Sequence, residues 1–362
     1  MLKRTPLFDK HIEAGGKMID FAGWEMPINY GSQISEHKQV REHAGLFDVS
    51  HMTVVDIHGE GTVDFLRTLL TNDIAKLDKP GMALYTAMLN EEGGVIDDLI
   101  VYSMSGFFRL VVNCATREKD LAWLNQQGAS YDVEITERPE LAILAVHGPE
   151  AIEKVCSLLS SDDAEVVMQL GNFKAAELGE RFIARTGYTG EKGLELIIPE
   201  QQAATLWDGL LAADVKPIGL GARDSLRLEA GMNLYGHDMD EETSPLAANM
   251  EQVITWTSEG RNFVGRDAVM KDKSKQLEGL LPYLSGLVLE GRGVLREGQK
   301  VVTDTGEGVI TSGGFSPTLG HSIALVRIPA GSKTCKVEMR GELVEARLVK
   351  PNFVRFGKKV FE

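Results

Sequence analysis

The sequence predicts an α+β protein with a β-rich C-terminal part. Three observations carry this: a strand–turn–helix unit used twice, a change of character past Pro245, and a length of 362 residues. At about 150 residues per domain, that length implies two or three domains with a sizeable core.

The repeat pairs HGEGTVDFLRTLL (58–70) with HGPEAIEKVCSLL (147–159). Each follows an apolar, strand-like run, TVVDI or LAILAV, and each shows helix-period apolar positions after a Gly-containing turn. Further on, each copy has a Gly-rich turn and an apolar run, EEGGVIDDLIVY and TGEKGLELIIPE. Each then enters a helix with one tryptophan, Trp123 in REKDLAWLNQQG and Trp207 in QQAATLWDGLLAAD. Two α+β subdomains built as an internal repeat are the expectation. Aligned on these hairpins, Asp98 of DDLIV falls opposite Glu195 of LELII. A single acid near a turn is usually solvated. Two at equivalent repeat positions suggest a shared cleft, where burial and mutual repulsion tune protonation.

Past Pro245 a polar stretch, KDKSKQLEG, leads into GLVLEGRGVLREGQKVV, GVITSGGFSPTLGHSIALVRI and CKVEMRGELVEARLV. Frequent turns between short apolar strands predict a small antiparallel β-barrel or sandwich. The last segment, KPNFVRFGKKVFE, sets Lys350, Arg355, Lys358 and Lys359 against Glu362. On residue types alone this basic, aromatic tail reads as a solvated, fraying terminus.

Charge narrows the function. With 38 Lys and Arg against 53 Asp and Glu, the net charge is −15. A predominantly negative surface gains little counterion-release energy from a phosphate backbone, which argues against broad nucleic-acid binding. Cys114, Cys156 and Cys335 are far apart, with no CxxC spacing, so a reducing compartment is expected. The N-terminal MLKRTPLFDKHIEAGG lacks a following apolar stretch, Asp9 and Glu13 disfavour a transit peptide, and no run approaches about 20 apolar residues. The chain reads as cytoplasmic, with no membrane partner.

Catalytic signatures of the common kinds are missing. GLGARD (219–224) lacks the third glycine of a dinucleotide loop and reads as a helix entry with Arg223 on the first turns. No HExxH, Cys/His pairing, GxSxG or GxxxxGK[ST] occurs, so a metal has little support. FAGWEMP (21–27) reads as a loop. In DVSHM (48–52), helix capping or backbone hydrogen bonding suits Asp48, Ser50 and His51 better than nucleophilic catalysis, because sequence neighbours seldom form a triad. RTGYTGEKGLEL places Tyr188 on a Gly-flanked loop beside Glu195, where a ring offers a stacking surface to a flat heterocycle.

Taken together, FDKHIEAGGKMIDFAGWEMPINY, GLFDVSHM, LTNDI, NEEGGVIDDLIVY, RTGYTGEKGLELIIP, GLGARDSLRLEAG, YGHDMDEETSP and TSGGFSPTLGHSIALVRIP resemble the aminomethyltransferase (T-protein) family of the glycine cleavage system. The match runs in order from about residue 2 to residue 362. The resemblance implies a three-lobed cloverleaf around a central opening that holds tetrahydrofolate. Its expected lobes are 1–50 with 138–245, 51–137, and 246–362. It implies transfer of an aminomethyl group from the lipoyl arm of H-protein to tetrahydrofolate as acceptor, with release of ammonia and formation of 5,10-methylenetetrahydrofolate. No metal is needed. A non-catalytic folate-binding protein serving iron–sulfur or RNA-modification enzymes is the alternative, but that relative carries a cysteine motif absent here.

By the same resemblance, the essential acid of the GGxxDD motif matches Asp98, the pterin-binding acid of GLEL matches Glu195, and the folate-binding arginine of GARD matches Arg223. Tyr85, Val112, Asn113 and Tyr188 fall where the family lines its folate pocket, and Arg355 or Phe356 where it makes a C-terminal contact. These residue types suit the task. One carboxylate can accept the adjacent ring and exocyclic N–H groups of a pterin, as expected of Glu195. A fixed carboxylate stabilises the iminium-like charge that develops as ammonia leaves, as expected of Asp98. The folate glutamate tail needs local positive charge, which Arg223 and the basic C-terminus provide. Arg292, Arg355 and Lys358 could also steer an acidic partner.

Overall fold

The computed structural model describes residues 2–256 and 260–362. The chain opens with helix α1 (Phe8–Glu13), strands β1 (Lys17–Phe21) and β2 (Trp24–Asn29), helix α2 (Gln33–Glu42) and strand β3 (Gly45–Asp48). A first run follows: β4 (Thr53–His58), α3 (Thr62–Leu69), β5 (Ala83–Leu89), β6 (Val95–Ser103), β7 (Phe108–Val112), α4 (Arg117–Gly128) and β8 (Glu134–Glu137). A second run holds β9 (Leu141–His147), α5 (Ala151–Cys156), α6 (Ser161–Gln169), β10 (Ala175–Leu178), β11 (Arg181–Ala184), β12 (Gly193–Pro199), α7 (Glu200–Ala212) and β13 (Lys216–Pro217). Helices α8 (Leu220–Glu229) and α9 (Arg266–Leu277) precede β14 (Tyr283–Leu289), β15 (Lys300–Thr303), β16 (Gly306–Ser316), β17 (His321–Ile328), β18 (Cys335–Met339) and β19 (Glu342–Val349). A last pair, β20 (Val354–Arg355) and β21 (Lys358–Lys359), closes the chain.

The two runs build a five-stranded sheet in the order β5-β6-β7-β4-β8 and a six-stranded sheet in the order β10-β11-β12-β9-β3-β13. In each, a strand and one helix (two, α5 and α6, in the second run) lead into three successive strands and then into the helix that carries Trp123 or Trp207. β7 and β12 therefore hold matching places, each beside the strand that heads its run and just before the tryptophan helix. The match of β6 is then β11. Asp98, on β6, and Glu195, on β12, are not repeat equivalents, which corrects the alignment on hairpins. The physical reason is local: EEGG opens the first hairpin of one meander and TGEKG the second hairpin of the other, and a Gly-rich turn signal looks alike in both.

FAGWEMP is likewise a hairpin and not an open loop. Ala22 and Gly23, with φ of 49° and 84°, form a two-residue turn of the kind that matches strand twist, and Phe21 pairs with Trp24.

The six-stranded sheet is covered on both faces, which is why LAILAV reads as continuous apolar sequence. Leu144, Val146, Leu194, Leu196 and Ile198 face Trp207 of α7. Ile143, Ala145, Phe182, Ala184 and Ile197 belong to a second core with Tyr102 of β6 and Ala222 of α8. Alternate residues of each strand thus enter different cores.

The β-rich part closes as a six-stranded barrel, β14-β17-β16-β15-β18-β19, which decides between barrel and sandwich. Leu287, Val301, Ile310, Val326 and Val337 are fully or almost fully buried in its core. A bulge between Ile310 and Ser312 turns the hydroxyls of Thr311 and Ser312 to the carboxylate of Asp238, at 2.5 and 2.8 Å. Asp238 also accepts from Arg227 at 3.0 Å and from the Leu234 N–H at 2.8 Å. The basic terminus does not fray. Val354 pairs with Lys359 and Arg355 with Lys358, and the fully buried Phe353 anchors this hairpin beside Leu228 and Leu284.

By contacts the chain divides into two compact units. The first is Met1–Phe65, Ala75–Leu84 and Leu99–Leu226; the second is Leu66–Ile74, Tyr85–Asp98 and Arg227–Glu362.

Candidate functional site

In the second unit, Asp98 and Tyr85 stand on neighbouring strands, and the Tyr85 hydroxyl donates to Asp98 Oδ2 at 2.8 Å. The turn before β6 sets this acid in place. Gly93 has a φ of 85°, Asn90 Oδ1 accepts from the Gly94 N–H at 2.8 Å, and a β-carbon at Gly94 would stand 1.7 Å from the Glu241 carbonyl oxygen. Only glycine fits there. Because successive strand residues face opposite sides, Asp97 is fully buried whereas Asp98 is half-buried and can meet a ligand.

In the first unit, Glu195 lies in the middle of β12, opposite Ala145 on β9 and Ala184 on β11. Both neighbours are small, which leaves room for a carboxylate on an otherwise apolar face. Thr186 Oγ1 donates to Glu195 Oε2, and the buried Tyr102 hydroxyl lies 3.0 Å from Thr186 Oγ1. A hydroxyl has one hydrogen, so Tyr102 donates to Thr186 and Thr186 to Glu195. Burial pushes the Glu195 carboxyl above its usual range, and the Thr186 hydrogen bond and the Arg223 charge pull it back. Burial and the nearby Glu195 charge hold the Tyr102 phenol protonated.

Arg223 sits in the first turn of α8, as the helix-entry reading of GLGARD expects, with its guanidinium carbon 4.6 Å from the centre of the Tyr188 ring. The cation lies over the face of the ring. The start of α8 is held by the buried Glu36, whose carboxylate accepts from the Gly219 N–H at 2.8 Å and from the Tyr30 N–H at 2.7 Å. Arg41 of α2 ties the platform together. It donates to the Thr189 carbonyl at 2.7 Å, to Glu191 Oε1 at 2.8 Å and to the Leu226 carbonyl of α8 at 3.4 Å.

Two buried histidines sit within the electrostatic reach of Arg223. Burial first, and that cation second, push the imidazole pKa values of His51 and His147 down to about 3, so both rings are neutral at physiological pH. In DVSHM, Asp48 does make backbone hydrogen bonds, accepting from the Ser50 N–H at 2.9 Å, and it pairs with His11 at 2.9 Å.

The remaining expected residues lie elsewhere. Val112 ends β7 with its side chain fully buried, and Asn113 follows it half-buried, its carbonyl accepting from the Thr116 hydroxyl at 3.1 Å. Arg355 is exposed on the terminal hairpin with its guanidinium 5.2 Å from the Phe356 ring centre, and Arg292 and Lys358 are exposed. The structure thus joins Tyr85 to Asp98 and Tyr188 to Arg223, and it adds Tyr102, Thr186, Arg41 and Glu36 as supporting groups. Thr186 lies within RTGYTG and Tyr102 within GVIDDLIVY, both visible in the sequence. Their partners became evident only in three dimensions. Among the described residues no group of three or more His, Cys, Asp or Glu side chains is placed to hold a metal ion, and no helix is long and apolar enough to cross a membrane.

The model of the GCVT N-terminal domain matches residues 7–258, and that of the glycine cleavage T-protein C-terminal barrel domain matches residues 283–355. The chain belongs to the glycine cleavage T-protein family. It is 58% identical over 362 residues to the aminomethyltransferase of Chromobacterium violaceum, covering 99% of both chains. The crystal structure of the glycine cleavage system aminomethyltransferase T from Bartonella henselae matches all of both chains at 32% identity with a TM-score of 0.90. The T-protein chain is accordingly an aminomethyltransferase of the glycine cleavage system, with the mixed α+β fold and C-terminal barrel of that family.

Proposed function

We propose that the chain takes the aminomethyl group carried on the lipoyl arm of H-protein, releases ammonia and forms 5,10-methylenetetrahydrofolate. The observation that carries this reading is the group around Glu195: a half-buried carboxylate on an apolar face, held by Thr186, beside a guanidinium stacked on an aromatic ring. A pterin offers adjacent N–H donors to such a carboxylate, and the anionic end of a folate suits Arg223. Tyr85, Val112, Asn113, Tyr188 and Arg355 are proposed as further folate contacts, Val112 through its backbone because its side chain is buried.

Asp98 is proposed as the catalytic acid group. In the transfer, the carbon forms bonds to N5 and N10 of tetrahydrofolate while its bonds to the amine nitrogen and to the lipoyl sulfur break. The two protons lost from the folate nitrogens end on the leaving amine and the thiolate. The carbon is cationic in passage, and a carboxylate fixed by the Tyr85 hydroxyl stabilises that charge without reorganising. All reactants are water-soluble, in keeping with the cytoplasmic reading. Incubation with aminomethylated H-protein and tetrahydrofolate tests the proposal. Ammonia and methylenetetrahydrofolate should form in equal amounts, and their absence with both substrates present would reject it.

A further inference from the structure

We propose that His147 is a positioning residue, an imidazole post that holds the loop from Thr186 to Glu191 so that Tyr188 meets Arg223 and Thr186 meets Glu195. The inference rests on the folate reading of this site and names a residue that the reading does not use.

The imidazole is enclosed by that loop and the strand after it. His147 ends β9 directly opposite Gly193 of β12. A β-carbon at Gly193 would stand 2.5 Å from Cδ2 of the ring, and one at Gly187 would stand 1.8 Å from Cε1 and 2.4 Å from Nε2. A side chain at 187 is therefore excluded by the ring itself, and one at 193 by the ring together with the Val146 carbonyl oxygen at 2.6 Å. Gly187 also has a φ of 156°, at the margin of what other residues adopt. Nδ1 lies 2.7 Å from the Thr189 hydroxyl, whose oxygen also accepts from the Glu191 N–H at 3.3 Å. The Phe47 ring closes another side in an edge-to-face arrangement, with centroids 5.8 Å apart at 68°.

Packing alone does not account for a histidine here. Among the described residues Nε2 is buried without a hydrogen-bond partner, a cost that a leucine of similar size would avoid. What leucine could not supply is the bond to Thr189, the residue after Tyr188. The charge state matters too. A protonated ring would repel Arg223, and burial keeps the ring neutral. Glu195 of β12 pairs with Ala145 of β9, two positions before His147 on that strand, so Glu195 and His147 point to the same face of the sheet. One post thus sets both the acid's hydroxyl donor and the aromatic platform.

The test uses the full-length protein, with tetrahydrofolate affinity by calorimetry and steady-state transfer from aminomethylated H-protein. His147→Ala should weaken binding and raise KM for tetrahydrofolate by about tenfold while kcat stays within about twofold. In a Tyr188→Ala background the same change should cost less than about twofold, because the loop's cargo is already gone. His147→Gln, which keeps an amide donor and acceptor, should restore most of the affinity. Wild-type affinity in His147→Ala, or an equal loss in both backgrounds, overturns the inference. Failure of the unmodified protein to bind tetrahydrofolate overturns the folate reading and this inference with it. If His147→Ala does not fold, Thr189→Val decides: about threefold weaker binding is expected, and unchanged affinity rejects the post.

Discussion

The hydroxyl of Thr186 donates to Glu195 from one end of the loop whose middle residue, Tyr188, carries the guanidinium of Arg223 on its ring. One short loop thereby touches both the acid and the cation. Burial drives the Glu195 carboxyl toward its neutral form, and the Thr186 bond opposes this.

Thr186→Val removes the opposing bond, so the Glu195 pKa should rise further. If the pterin is held by the ionised carboxylate, its affinity falls as pH drops through that pKa. In Thr186→Val the fall should begin at a higher pH than in the unaltered protein. Calorimetric titrations with tetrahydrofolate across the acid range measure this, and superimposable profiles would rule it out.

Glu195→Ala should weaken tetrahydrofolate binding by roughly 1–3 kcal/mol, because the pterin donors lose their acceptor in the pocket. Glu195→Gln should meanwhile raise the melting temperature of the ligand-free protein near neutral pH. The sign follows from linkage: a folded-state pKa above the unfolded one means this group's contribution is present below the unfolded pKa and lost as pH rises through the folded one. Glutamine mimics the protonated form at every pH, so its advantage should shrink in acid. Thermal melts at two pH values decide the matter.

Asp98→Asn should leave folate affinity near normal and lower the transfer rate by roughly 10²–10³, the scale of losing one preorganised electrostatic group. Tyr85→Phe, which removes the hydroxyl at 2.8 Å, should cost about tenfold in kcat, or about 1.4 kcal/mol. Turnover of Asp98→Asn close to that of the unaltered enzyme would remove Asp98 from the chemistry.

Asp238→Ala should destabilise the second unit by about 3–5 kcal/mol, since it leaves the buried Arg227 without its carboxylate and strands the Thr311 and Ser312 hydroxyls. Urea denaturation measures the loss. A change below about 1 kcal/mol would mean that water replaces the carboxylate.

Much of the fold was legible because periodicity and turn chemistry are local. TVVDI and LAILAV announced strands, Trp123 and Trp207 marked helices, and the Gly-rich runs past residue 283 announced the barrel. Glu195 and Asp98 were noticeable as acids in apolar strands. Their equivalence within the repeat was not readable, because hairpin turns carry no label of their order in the sheet. Arg41 and Glu36, both on α2, belong to no motif that the sequence singles out. Their partners, the carbonyl of Thr189 and the N–H of Gly219, lie 148 and 183 residues away. Nothing in the sequence singled out His147, and only the three-dimensional arrangement shows Gly187 and Gly193 lying against its ring.

The register of β12 limits how this gene can change. Gly193, Glu195 and Ile197 face one core, and Leu194, Leu196 and Ile198 face the other. One codon inserted just before Glu195 would turn its charge toward Trp207 and send a leucine to the face that holds Ala145 and Ala184. Substitutions along this strand can be graded and repaired one at a time, whereas insertions and deletions arrive as a reversal of every side chain at once. Lineages of this chain should therefore vary in length at the loops that flank the sheet and keep a constant count of residues between the glycine at 193 and the proline at 199.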